Sequence, residues 1–379
     1  MQKEFIGKDS FKKIKYIVDE LHAKRILLVT GKKSFSLSGA KYKIKKLLKD
    51  LEVIVFDDFQ SNPRLEDAES GSNLVRQSNL DLIISIGGGS VLDMAKLINI
   101  LSAQNDIDFF DIIKNPSLID NKGIPLVAIP TTAGSGSQAT HFAVVYIDKV
   151  KYSLSHRYIL PNYAIVDPAL SYSVPSNMAA SCAMDSLSQA VESYWSVGST
   201  KESRRYSSRA IKIILPALKE SVVNNDNDAK DVMALAAHLS GKAINISKTT
   251  AAHALSYSMT TLFGIPHGHA VALTLGKFFS INYNANKNNI LDQRGGIYLN
   301  KTMKELFNMF DCDTADCCHD KWYELMKLLD LEINIMNLGI KNIEDIECIV
   351  NNINIERIKN NPVLLDKKEL FKIFNSIGI

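Results

Sequence analysis

Four aliphatic runs punctuate the early part of the chain: RILLVT (25–30), EVIVFDD (52–58), DLIISIGGG (81–89) and PLVAIPTT (125–132). Each is rich in Ile, Val and Leu and is bounded by Gly, Pro or charge, so each reads as a strand buried on both faces. Helix-length amphipathic stretches, GAKYKIKKLLKD and EDAESGSNLVRQSN, lie between them. This alternation predicts a parallel sheet with helices on both sides. AVVYIDKVKYSLSH predicts a hairpin beside the sheet, and YAIVDPAL a last strand.

From VPSNMAASCAMDSLSQAVESYWS onward, apolar residues recur at helical spacing and strand signals nearly vanish. SRRYSSRAIKIILPALKESVV, KDVMALAAHLSGKAINIS and HDKWYELMKLLDLEI all predict helices. The expected organisation is an α/β dinucleotide-binding domain over 1–170 and an all-helical metal- and substrate-binding domain over 171–379. The Asn-, Lys- and Ile-rich final stretch reads as solvated helix faces.

Composition narrows the function classes. The 379 residues are 46% apolar and 22% charged, and 44 basic against 41 acidic side chains leave a net charge of +3. That is ordinary globular usage, with no basic stripe for nucleic acid and no apolar run long enough for a membrane helix. The opening MQKEFIGKDSFKK lacks the apolar stretch of a secretory signal, so a cytoplasmic protein is expected. The five cysteines, Cys182, Cys312, Cys317, Cys318 and Cys348, match no zinc-knuckle spacing and are expected as reduced thiols. The cluster CDTADCCH, ending in His319, is the weaker of two places where a metal could be sought.

In IISIGGGSVLDMAKLI, Gly87, Gly88 and Gly89 follow a buried strand directly. Ser90 is expected to cap the next helix, which carries Asp93 and Lys96. Glycine lets backbone approach a pyrophosphate, and the helix N-terminus favours its charge. The pattern is not GxGxxG, so the ordinary dinucleotide fingerprint is absent. AIPTTAGSGSQAT also follows a strand and offers the hydroxyls of Thr131, Thr132, Ser135, Ser137 and Thr140. Two such loops at strand carboxyl ends would form a dinucleotide cleft.

The stronger metal candidate lies further on. Asp185 and Gln189 in AMDSLSQAVESYW are four apart and share a helix face. The stretch AHALSYSMTTLFGIPHGHA holds His253, His267 and His269, three of the eight histidines in the chain. One carboxylate, one amide oxygen and two imidazoles could converge on a divalent ion.

The motifs GGGSVLDMAK, IPTTAGSGSQAT, DPAL, MDSLSQAVESYW and AHALSYSMTTLFGIPHGHAVAL occur in the order seen in iron-containing (group III) alcohol dehydrogenases, which the sequence resembles over roughly residues 20 to 280. The resemblance implies a Rossmann-like first domain within a dehydroquinate-synthase-like fold, NAD(H) or NADP(H) as cofactor, Fe2+ or Zn2+ as metal, and a homodimer. It places the metal on Asp185, His253 and His267, with Gln189 where the family's further histidine stands. An amide oxygen suits these ions less well than imidazole, which implies a site that binds metal weakly or is empty as isolated. His269 then falls in the substrate pocket or behind the ligands. Tyr257, where several relatives carry a histidine, is a candidate proton relay. Asn62 and Lys151 join the loop residues as cofactor contacts. Gly31 stands where many NAD-preferring relatives carry Asp, and beside Lys32 and Lys33 it would tolerate a 2′-phosphate.

VESYWSVGSTKESRRYS is similar to the subgroup that reduces two-carbon aldehydes with an acid head, phosphonoacetaldehyde or sulfoacetaldehyde. The resemblance thus implies a small anionic aldehyde as substrate, with Arg204, Arg205 and His141 as candidates for its charged end. A general short-chain alcohol dehydrogenase, a dehydroquinate-synthase-type lyase or cyclase, and a silent binding protein that has lost its metal are the alternatives.

Overall fold

The structure is a computed structural model that describes residues 2–105, 107–148, 150–353 and 355–375. The chain divides after Val174 into two units.

In the first unit six strands form one parallel sheet: β1 (Lys3–Ile6), β2 (Arg25–Thr30), β3 (Glu52–Phe56), β4 (Leu82–Gly87), β5 (Leu126–Pro130) and β8 (Tyr163–Val166). Their spatial order is β1-β8-β5-β4-β2-β3. β6 (Phe142–Ile147) and β7 (Val150–Ser155) make the expected separate hairpin. The short β1, too polar to read as a strand, is held by its pairing with β8.

The aliphatic runs are continuous because successive residues enter different cores. Ile26 and Leu28 join the layer containing Phe11, Ile14 and Ile17, whereas Leu27 and Val29 join the layer containing Met94, Leu97 and Ile98. Leu82, Ile84 and Ile86 repeat the first choice and Ile83 the second. A strand buried on both faces has no polar side to show.

The order of strands reverses between β2 and β4, since β3 flanks β2 on one side and β4 on the other. In open parallel sheets ligands bind outside the carboxyl ends at such a switch point. The turns after β2, at Gly31, and after β4, at Gly87 to Ser90, both leave from it.

Among its described residues the regular elements of the second unit are all helices, with one isolated bridge between Ile290 and Val363. The helix Ser176–Trp195 is buried along nearly its whole length from Ala180 onward. Lys201–Val222 and Asn227–Ser247 lie against it, followed by Ala251–Phe263 and His267–Tyr283. Among the described residues no helix is long and apolar enough to cross a membrane.

One cysteine expectation is corrected. Cys312 and Cys317 are bonded as a disulfide, because the turn between the helices Gly295–Met309 and Ala315–Leu328 brings their Cα atoms to 5.6 Å. In the CDTADCCH cluster His319 faces Asp320 and Lys277, and the cluster is not among the His, Cys, Asp and Glu groups that could hold an ion in the described residues. Cys318 is a buried thiol whose acidity burial suppresses, up to about 12.

Candidate metal centre and dinucleotide loops

Asp185, His253 and His267 form the one group of three or more His, Cys, Asp or Glu donors that could hold an ion among the described residues. Their donor atoms lie within 4.8 Å of one another. Nε2 of His253 is 3.4 Å from Oδ1 of Asp185, and Nε2 of His267 is 4.0 Å from the same oxygen. The two imidazoles meet edge to face, with ring centroids 5.4 Å apart.

Local sequence explains the convergence. Gly264, at φ 70°, ends the His253 helix in the left-handed region that favours glycine, and Pro266 starts the next helix with His267 in its first turn. Gly268 then lets this turn press against the Asp185 helix. A Cβ there would sit 2.7 Å from Cβ of Asp185 and closer still to the Ser181 carbonyl oxygen.

Both histidines present the same nitrogen to Asp185. Nδ1 of His253 is held by the Glu192 carboxylate. Ser256 gives its hydroxyl proton to the His253 carbonyl at 2.7 Å, so its oxygen accepts from Nδ1–H of His267 at 3.3 Å. Each Nε2 is thereby left with a lone pair directed at the cluster. Nε2 of His253 and Oδ1 of Asp185 are buried and have no hydrogen-bond partner. Two such atoms facing each other are costly unless a cation joins them, and imidazole plus carboxylate suits Zn2+ or Fe2+. Gln189, one turn along from Asp185, hydrogen-bonds it, and this bond helps to hold the Asp185 carboxyl low. Burial opposes ionisation of Asp185, but the two imidazoles beside it outweigh that and hold the carboxyl below its usual range. Burial likewise opposes charge on His253, yet Glu192 and Asp185 raise it to about 8, so below that pH a proton competes with an ion for Nε2.

The remaining candidates in this unit divide. The Tyr257 ring lies 6.1 Å from that of His267, beside the cluster. His269 is turned away: its Nε2 meets the Glu332 carbonyl at 2.6 Å, tying its helix to a neighbouring loop. The Arg204 guanidinium donates to the Tyr194 carbonyl, Tyr298 and Thr302 and pairs with Glu305. Those contacts tie it to the helix Gly295–Met309. Arg205 is exposed and lies over the Tyr206 ring.

In the first unit the helix after β4 begins at Gly89, one residue before the expected cap. Gly88 is its N-cap and offers no side-chain bond, while Ser90 lies within the first turn. The first amides of this helix therefore meet no capping side chain. The second loop crosses close above: a Cβ on Gly89 would meet Ser135 Oγ at 2.8 Å. Thr131 is buried with a hydroxyl that has no hydrogen-bond partner, and Thr132 lies 3.7 Å from where a Gly88 Cβ would be.

Asp93, Ser137 and Thr140 do something else as well. Lys96, wholly buried, donates to Ser137 Oγ at 2.8 Å, Thr140 Oγ1 at 2.9 Å and the Phe142 carbonyl at 2.9 Å. Asp93 accepts from the Ser137 hydroxyl and from the Val144 amide. This network fastens the second loop to the glycine-turn helix. Burial pushes the Lys96 ammonium down to about 8, against the pull of Asp93. Lys32 pairs with Asp58, beyond the end of β3, at 2.8 Å. A Cβ on Gly31 would meet Ser34 Oγ at 2.6 Å and Val91 Cγ2 at 3.4 Å. Asn62 is exposed and Lys151 half-buried on β7, and His141 ends the second loop.

Glu192 is the residue that the sequence reading missed. It lies seven positions after Asp185 on the same helix face, and an acid in a run of small and apolar residues was the available signal.

A parallel sheet with two glycine-bearing turns, followed by helices carrying a His–Asp cluster, is the architecture of a class of metal-dependent dehydrogenases. The family profile described as iron-containing alcohol dehydrogenase matches residues 2–168, and that for the Fe-containing alcohol dehydrogenase family C-terminal region matches 179–378. The chain belongs to the iron-containing alcohol dehydrogenase family, whose members are oxidoreductases. It is 34% identical over 262 residues to long-chain-alcohol dehydrogenase 1 of Geobacillus thermodenitrificans, covering 68% of this chain and 66% of that relative. It is 33% identical over 241 residues to phosphonoacetaldehyde reductase of Streptomyces viridochromogenes, covering 61% of each. The crystal structure of sulfoacetaldehyde reductase from Bifidobacterium kashiwanohense in complex with NAD+ superposes with a TM-score of 0.87 at 27% identity, over 99% of this chain and 96% of that one.

Proposed function

We propose that the protein reduces a short aldehyde with NADH or NADPH, and that the aldehyde carries an acid head, as sulfoacetaldehyde and phosphonoacetaldehyde do. The observation that carries the reductase reading is the meeting of Asp185 Oδ1 and His253 Nε2, buried and without hydrogen-bond partners, beside His267. When bound, a divalent ion polarises the carbonyl oxygen and the dinucleotide supplies the hydride. Asp185, His253 and His267 would hold the ion, with Gln189 beside them. Ser256 and Glu192 keep the two imidazoles oriented. Tyr257, whose ring lies beside that of His267, would pass a proton to the new hydroxyl. In the first unit, the amides of the Gly88–Ser90 turn would receive the pyrophosphate, and Thr131 and Thr132 would line the second loop of the dinucleotide site.

The acid head is supported by the likeness to the phosphonoacetaldehyde and sulfoacetaldehyde reductases. The engagement of Arg204 by Glu305, Tyr298 and Thr302 favours a second reading, a general short-chain alcohol dehydrogenase. A screen of sulfoacetaldehyde, phosphonoacetaldehyde and propanal with either dinucleotide decides between them. Preference for an acid-headed aldehyde supports the first reading. Equal kcat/KM for propanal overturns it, and no dinucleotide oxidation with any aldehyde overturns both.

A further inference from the structure

Glu192 is wholly buried, and its contacts account for both carboxylate oxygens. Oε1 accepts from the Thr250 hydroxyl at 2.8 Å and from the amides of Ala252 and His253 at 2.9 and 3.3 Å. Oε2 meets Nδ1 of His253. Those two amides belong to the first turn of the His253 helix, where backbone N–H groups lack helical partners and negative charge is favoured. The carboxylate therefore caps the helix that carries His253 while gripping its side chain.

The surroundings hold Thr250 in turn. Its oxygen accepts from the Trp195 indole at 3.0 Å. Lys248, two residues earlier, has φ 59° and ψ 178°, a conformation essentially confined to glycine. The Asn360 amide clamps this turn by donating to the carbonyls of Ser247 at 2.8 Å and Thr249 at 2.9 Å. A strained turn persists only where its neighbours over-determine it, and here they aim Thr250 at Glu192.

We infer that Glu192 is a positioning residue for the metal centre: gripped by Thr250 and the helix amides, it accepts the His253 Nδ1 proton and so directs the bare Nε2 at Asp185. The inference rests on the metal-dependent reading above and adds to it a residue outside the ligand set. Carboxylates behind ligating histidines set ring orientation and tautomer, and losing one costs 10–100-fold in metal affinity. In Glu192→Gln the amide oxygen can still take Thr250 and the backbone donors. The amide nitrogen then faces His253 Nδ1 and donates to it, which moves the imidazole proton to Nε2 and blocks ligation.

The test titrates the chelator-stripped full-length protein with Co2+ and follows its visible absorption. Zn2+ affinity is measured by competition with a chromophoric chelator. Glu192→Gln should bind both ions at least tenfold more weakly, with a displaced Co2+ spectrum, and should lose the downfield Nδ1–H proton resonance of His253. Binding within twofold of the parent with an unchanged spectrum overturns the inference. Should that variant not fold, Thr250 decides. Thr250→Val should weaken Co2+ binding several-fold and Thr250→Ser should restore it, whereas equal affinity of the two overturns the inference. Failure of the unsubstituted protein to bind Co2+ or Zn2+ overturns the metal-dependent reading itself.

Discussion

At Gly268 a single hydrogen atom permits two helices to meet. Any Cβ would press on the Ser181 carbonyl and on Asp185, so Gly268→Ala should push the His267 turn away from Asp185. Zn2+ affinity, measured by chelator competition, should fall at least tenfold, comparable with the loss of a ligand's support. Unchanged affinity would show that the close approach does not set the site. Gln189 makes the opposite case. Gln189→His replaces an amide with an imidazole on the same helix face as Asp185, and metal affinity should rise, because nitrogen suits Zn2+ and Fe2+ better than an amide oxygen. If affinity does not change, Gln189 supports Asp185 and does not touch the ion.

At the scale of elements, the glycine turn and its neighbouring loop act as one piece. Gly88 is the informative position of the three glycines. Its extended backbone, φ −73° and ψ −177°, suits any residue, and a Cβ would touch only Thr132 at 3.7 Å. Gly88→Val should therefore fold normally yet lose at least tenfold in NADH affinity, because its methyls stand over the helix N-terminus. Calorimetric titration showing parent-like NADH affinity would remove this turn from the dinucleotide site. The underlying Lys96 network has a pH signature. Its ammonium loses its proton near pH 8 when folded but near 10.5 when unfolded. Between those values the unfolded chain binds more protons, so stability rises with pH as the burial penalty on the charge is relieved. The whole window is worth roughly 3 kcal/mol. Comparing urea midpoints from pH 7 to 10 should show this rise in the parent and its absence in Lys96→Met. Parallel curves would refute the depressed ammonium.

At the scale of the whole molecule, a bound ion stabilises what it binds by mass action. With Zn2+ at a hundredfold excess over Kd, the gain is about 2.7 kcal/mol. Stripping the metal should lower the Tm by several degrees, and His267→Ala should make the Tm indifferent to Zn2+. A zinc-dependent Tm surviving in that variant would place the ion elsewhere.

Much of this molecule follows from local pattern. The aliphatic runs announced the parallel strands because burial on both faces leaves no polar period, and the change to helical spacing beyond residue 170 announced the helical unit. Asp185, His253 and His267 could be named as candidate ligands because their motifs resemble those of a known family, and the fold brings the three together. Tertiary structure decided what depends on contacts between distant segments. β1 is a strand only through β8, and Cys312 meets Cys317 only through the turn between two helices. That Arg204 pairs with Glu305, 101 positions away, was likewise invisible locally. The part of Glu192 was hidden in the same way, since nothing local distinguishes an acid that faces solvent from one on which a histidine 61 positions away depends for its orientation.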